Sequence, residues 1–114
     1  MPPSTEDRLL DILRSTSRVL SLVEGRSFDE FSQDEVRRMA AERYLEIVCE
    51  AARKLPDELK HEAIDIDWRK MTDFANRLRH AYHAIDVEIV WDIIHHHVPP
   101  LRSFAERRIG AANS

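Results

Sequence analysis

The sequence predicts an all-α protein, an antiparallel helical bundle of four to five helices in one domain spanning residues 1–114. Three observations lead there. Only two glycines occur in 114 residues, which leaves few sites for tight hairpin turns. Alanine, leucine, glutamate, arginine and aspartate carry the middle of the chain, and all but aspartate are strong helix formers. Apolar residues recur at three-and-four spacing, the period of one buried helix face.

The first helix begins near Thr5, with Glu6 and Asp7 placed favourably in its first turn. Its core stripe runs through Leu9, Ile12, Leu13, Thr16, Val19, Leu20 and Val23, and Gly25 reads as the stop. Ser27 to Phe31 reads as a short turn-like segment whose two phenylalanines plug the core edge. Ser32 then caps a second long helix, with Glu35 at the capping-box position. Val36, Met39, Ala40, Tyr44, Ile47, Val48 and Ala51 form its expected inner face, and it ends near Leu55, before Pro56. Residues 56–66 form a connector with room for one helical turn. Asp67 caps a third helix through Trp68, Met71, Phe74 and Leu78 toward His80 or Tyr82. Asp86 caps a fourth through Val87, Val90, Trp91 and Ile94. Pro99-Pro100 breaks that helix and starts a fifth through Leu101, Phe104 and Ile109.

Composition narrows the function. Charged residues make up 33% of the chain and hydrophobic ones 43%, a balance expected of a soluble globular protein rich in exposed helix, and a single cysteine fits a reducing cytoplasm. No apolar run approaches the ~20 residues that span a bilayer, so no membrane role is expected. Met1 to Asp7 lacks the basic and apolar regions of a signal peptide. The single Cys49 lies in an apolar helical run and reads as a buried thiol, and Met39 and Met71 read as core residues. A net charge of −4 argues against a protein that coats nucleic acid non-specifically. From Arg69 to Tyr82, however, Arg69, Lys70, Arg77 and Arg79 face only one acidic residue, Asp73. A basic island on an acidic body suits a confined phosphate site or an acidic partner, although such arginines also form ordinary ion pairs on a solvated helix.

Within that island, residues 75–82 place an amide, two guanidiniums, an imidazole and a phenol in eight positions. Guanidiniums grip phosphates, and an imidazole moves a proton near neutral pH. On a helix, Asn76 and His80 share a face, as do Arg79 and His83. Position 75 lies ~140° around the axis from His80. The two meet at one phosphate only if the helix ends between them or a symmetric partner supplies a second copy, which hints at a dimer-interface site. Taken singly, His80 also fits a helix C-terminal cap, and Tyr82 an amphipathic ring on the bundle rim. His95, His96 and His97 point ~100° apart in turn, too divergent to hold one ion, so neither a metal nor a cofactor is expected.

Several stretches together carry a resemblance. These are Glu24 to Phe31, Leu45 to Leu55 with Cys49 where a glycine is usual, Ile66 to Lys70, and Ile85 to Ile94 followed by Val98-Pro99-Pro100-Leu101. In this order and spacing the chain resembles the HepT-like toxins of the HEPN superfamily from about Arg8 to Ile109. The family's active motif is an arginine, usually followed by Asn or Asp, with a histidine five after the arginine and a tyrosine two after the histidine. Asn76, His80 and Tyr82 fall on it, and the arginine position holds Ala75.

The resemblance implies a metal-independent ribonuclease toxin of a type VII-like module, paired with an MNT-type nucleotidyltransferase antitoxin that adds AMP to the motif tyrosine. It implies His80 as the acid–base residue, Asn76 as a positioning residue, Tyr82 as the modified residue, and a homodimer. RNA is the implied substrate, with tRNA a candidate, and Arg69, Lys70, Arg77 and Arg79 are the expected RNA-binding residues. Glu50 and Arg53 lie on the second-helix signature and fit either support of the cleft or structural hydrogen bonds.

Ala75 has three accounts: a substitution that spares the producing cell, which is preferred; decay into an inactive paralogue; or migration of the motif to Arg77 and His83. With Ala75 the chain is expected to be impaired. The main alternative is a non-catalytic HEPN dimer that binds a nucleotidyltransferase, and a weaker one is a nucleotide-binding regulator.

Overall fold

Ser4 starts the fold by a reciprocal cap: its hydroxyl accepts from the Asp7 N–H, and the Asp7 carboxylate accepts from the Ser4 N–H. From there α1 runs over Thr5–Val23 and ends before Gly25, whose φ of 71° turns the chain in a conformation that side-chain-bearing residues avoid. In this computed structural model, which describes residues 3–80 and 86–112, α2 (Phe28–Gln33) and α3 (Glu35–Arg53) follow. Then come α4 (Asp57–His61), α5 (Trp68–Arg79), α6 (Val87–His96) and α7 (Val98–Ala112). Among the described residues there is no strand, and the fold is an all-α HEPN-type bundle.

Helix α1 is central. It packs most extensively on α3 and next on α7, while α5 packs on α3 and α6 on α7. One apolar cluster joins them, with Ile12, Val19, Phe31, Leu45, Val48, Ile94 and Leu101 wholly enclosed. Thr16 is the fully buried polar side chain in α1, and its hydroxyl donates to the Ile12 carbonyl at 2.6 Å, which makes its burial tolerable.

Among the described residues five long helices match the expected count, and two short ones add to it. The segment beginning at Ser27 is a true helical turn and a half, capped by Ser27 and Glu30 in a reciprocal pair. Phe31 is buried and Phe28 half-buried, both against the Trp91 ring. Asp34, rather than Ser32, caps α3, because Ser32 is spent inside α2. The inner face of α3 is also corrected. Ala41, Leu45, Val48, Cys49, Ala51 and Ala52 are buried, whereas Val36 and Met39 are 79% and 63% exposed. Val48 and Ala51 of the expected face are buried, so the buried face overlaps it at its C-terminal end and is turned away from Val36 and Met39.

Helix α5 carries the motif and is fixed at its start. Asp67 caps it by accepting from the Lys70 N–H at 2.9 Å. The Trp68 indole donates to the Lys60 carbonyl and meets the Phe104 ring edge-on at 5.6 Å. Met71, Phe74 and Ala75 form its buried face. Its last regular residue is Arg79, and His80 is the cap residue, its N–H donating to the Asn76 carbonyl.

Candidate active site

Rotation along α5 sorts the expected site residues onto three sides. Ala75 is 5% exposed and faces inward, whereas Asn76 and His80 are both exposed and share the outer face. The separation of position 75 from His80 expected from helical geometry therefore holds in the folded chain. Tyr82 and His83 lie outside the described residues.

The basic island divides. Ala75 and Arg79 border a groove of about 430 Å³ between α1, α3 and α5. Arg69, Lys70 and Arg77 border a second hollow of about 490 Å³, on the α6 side, with Phe74, Ile89 and Ile93 as its apolar lining. The four cations expected to bind RNA thus flank α5 rather than form one patch.

Around the first groove the charges are mostly matched. Arg53 donates to Glu50 at 2.7 Å, and Lys54 approaches the same carboxylate at 3.4 Å. The Arg53 hydrogen bond holds the Glu50 carboxyl below its ordinary range, outweighing the small opposing effect of burial. Arg43 pairs with Glu46 at 3.1 Å. Arg79 differs: its Nη2 donates to the Asn76 Oδ1 at 2.6 Å, and among the described residues no carboxylate pairs with it. Its guanidinium is thereby held to Asn76, on the face that Asn76 shares with His80, with no ion pair among the described residues.

Cys49 lies under this wall, and burial with the adjacent Glu50 charge pushes its thiol up to about 12, which leaves it protonated and inert at neutral pH. The three histidines of α6 diverge as their spacing requires. The His95 ring lies tilted at 40° against Trp91, centroids 4.1 Å apart, with its Nδ1 at the Trp91 carbonyl, His96 lies 3.6 Å from Asp92, and His97 caps the helix end. Burial and then the Lys70 charge keep His97 below its ordinary value.

Sequence reasoning missed the far walls of the groove, Arg8 and Asp11 from α1 and Arg43, Glu46 and Lys54 from α3. The available signal was the charged spacing on α3, where Glu46, Glu50 and Lys54 recur every fourth residue.

An exposed histidine beside an amide and a guanidinium that no carboxylate among the described residues pairs fits phosphate chemistry, and comparison with known proteins names the family. The ribonuclease HepT-like family matches residues 12–108. The chain belongs to the HepT-like ribonuclease family. It is 30% identical over 107 residues to the "Probable ribonuclease HepT" of Thermococcus cleftensis, covering 94% of this chain and 97% of that protein. It is 33% identical over 91 residues to a "Putative RNase" of Methanocaldococcus jannaschii, covering 80% of this chain and 75% of the other. A "Putative RNase" of Caldanaerobacter subterraneus subsp. tengcongensis is 31% identical over 90 residues, 79% of this chain and 80% of its own length. No solved structure matches the chain significantly. Membership of this family supports a ribonuclease function and RNA as the substrate class. No helix among the described residues is long and apolar enough to cross a membrane.

Proposed function

We propose that this HepT-like chain is the ribonuclease toxin of a two-gene module, that it acts as a homodimer, and that His80 is its acid–base residue. The observation that carries the reading is the exposed His80 at the end of α5, one residue from a guanidinium that no carboxylate among the described residues neutralises. In the proposed reaction the RNA 2′-oxygen attacks the adjacent phosphorus while an imidazole takes its proton. The bond to the 5′-oxygen breaks, and that oxygen receives a proton, leaving a 2′,3′-cyclic phosphate and a 5′-hydroxyl. Guanidinium groups stabilise the charge that gathers on the phosphorane. A second copy of the chain would place two His80 side chains across one cleft. Val36 and Met39, exposed on the helix that borders the groove, offer apolar surface for such a copy to cover.

Ala75 lacks the guanidinium that the family motif places there, so this chain is expected to be slow. Losing one such electrostatic donor costs roughly a hundred- to a thousandfold in rate. Regulation by an MNT-type nucleotidyltransferase that adds AMP to Tyr82 belongs to the same proposal. The modification would set bulk and negative charge two residues from His80 and repel RNA phosphate.

The test is to express Ala75→Arg and to measure growth and RNA cleavage. Toxicity and cleavage that disappear again in Ala75→Arg/His80→Ala support the enzyme. For the modification, intact mass after incubation with the nucleotidyltransferase and ATP should rise by AMP units, and Tyr82→Phe should abolish the rise. Ala75 itself favours a second reading, a non-catalytic dimer that binds the nucleotidyltransferase. A harmless Ala75→Arg protein that still binds that enzyme would select it.

A further inference from the structure

Ala75 and Arg79 lie one helical turn apart on the same wall of the α1–α3–α5 groove. Side chains of a helix lean toward its N-terminus, so a residue at 79 covers the surface above positions 75 and 76. Arg79 does this, and the hydrogen bond from its Nη2 to the Asn76 Oδ1 fixes the lean. Of the cations on the opposite walls, Arg43 is engaged by Glu46 and Lys54 by Glu50, whereas Arg8 of α1 has no ion pair among the described residues but stands across the groove from α5. Arg79 has a neutral amide as its described partner, which leaves its full charge and most of its five N–H donors for an anion.

Position also favours Arg79. Along a helix, residues 79 and 80 are ~100° and ~1.5 Å apart, whereas 75 and 80 are ~140° and ~7.5 Å apart. Position 75 is nearly enclosed, while Arg79 is exposed at the end of the helix, beside His80. We infer that in this chain Arg79 supplies the phosphate-binding guanidinium that Ala75 cannot, and that Asn76 holds it toward His80. The inference rests on the ribonuclease reading above. The scissile phosphate then sits over the C-terminal turn of α5, and Ala75 keeps open the groove of about 430 Å³ beside it. Asp11, Glu46 and Glu50 also line that groove, so the strand's phosphate meets Arg79 at the rim rather than at the floor.

A double-mutant cycle between positions 75 and 79 tests this. Four proteins are compared on one RNA oligonucleotide, each alongside its His80→Ala counterpart: the chain itself, Arg79→Ala, Ala75→Arg, and Ala75→Arg/Arg79→Ala. Arg79 is exposed, and matching thermal melts verify that each variant is folded. In the Ala75 background, Arg79→Ala should lower His80-dependent kcat/KM by roughly a hundred- to a thousandfold. In the Ala75→Arg background the same change should cost less than roughly tenfold, because the restored guanidinium takes over. Arg79→Lys should recover part of the loss, since it keeps the charge without the planar fork. Equal losses in both backgrounds would overturn the inference, as would no loss in the Ala75 background. If only proteins carrying Ala75→Arg cleave RNA, the inference fails and the ribonuclease reading stands. If no variant shows His80-dependent cleavage, both fail.

Discussion

Replacing Phe74 by alanine should release the helix that carries the site. Phe74 is 2% exposed and sits between Met71 and Ala75 on the inner face of α5, which packs on α3. Truncating a buried phenylalanine removes its transfer free energy and leaves a cavity, together about 3–5 kcal/mol. A domain of this size has only about 5–15 kcal/mol to lose. At roughly 4 °C per kcal/mol, the melting temperature should fall by roughly 12–20 °C. Urea denaturation followed by far-UV circular dichroism measures the change directly. Asp73→Ala, an exposed neighbour on the same helix, is the control and should stay within about 0.5 kcal/mol of the parent. A Phe74→Ala loss below about 1 kcal/mol would mean that α5 is not held by this face. The placement of Ala75 and Arg79 beside α3 would then fall with it.

Other outcomes follow from single features. Cys49, whose thiol burial drives up to about 12, should react with iodoacetamide at pH 8 at least roughly a hundredfold more slowly in the native protein than in guanidinium chloride; equal rates would place the thiol at the surface. Gly25→Ala forces an alanine to φ 71° and should destabilise by about 1–2 kcal/mol in urea melts, although there is open space for the added methyl. His97 is held below its usual value of 6.5, so the folded chain binds fewer protons there than the unfolded one. Its contribution to stability should be complete above that pH and fade as the pH falls below it. In melts from pH 8 to 5, His97→Gln should flatten that part of the pH dependence, and an unchanged slope would assign it to other groups.

The Asp67 and Asp86 caps were legible because each is a local event, whereas Ser32 was expected where Asp34 caps α3. Asp67 and Asp86 accept from backbone N–H groups two or three residues away, and a sequence displays such neighbours directly. Gly25 was legible for the same reason. Helix α2 was not, since six residues hold too little of a period to distinguish a helix from a turn. The inner face of α3 was legible only in part: Val48 and Ala51 are buried as expected, whereas Val36 and Met39 keep helical spacing but stay exposed, and only packing against α1 and α5 decides which apolar residues turn inward. For the site, helical rotation alone foretold that Ala75 and His80 part company. The split of the basic island needed to know which side of α5 meets α3 and which borders the hollow toward α6. Arg8 and Glu46 join the groove from parts of the chain more than twenty residues from α5, beyond the reach of any local motif.

In the proposed reaction His80 moves the proton in a metal-independent cleavage of RNA through its own 2′-oxygen. The most direct measurement is the chemistry of the fragment ends left by the Ala75→Arg protein in the presence of EDTA. EDTA-resistant cleavage should leave 2′,3′-cyclic phosphate and 5′-hydroxyl ends and be lost in Ala75→Arg/His80→Ala. Fragments bearing 5′-phosphate and 3′-hydroxyl ends, or cleavage that survives removal of the imidazole, would contradict it.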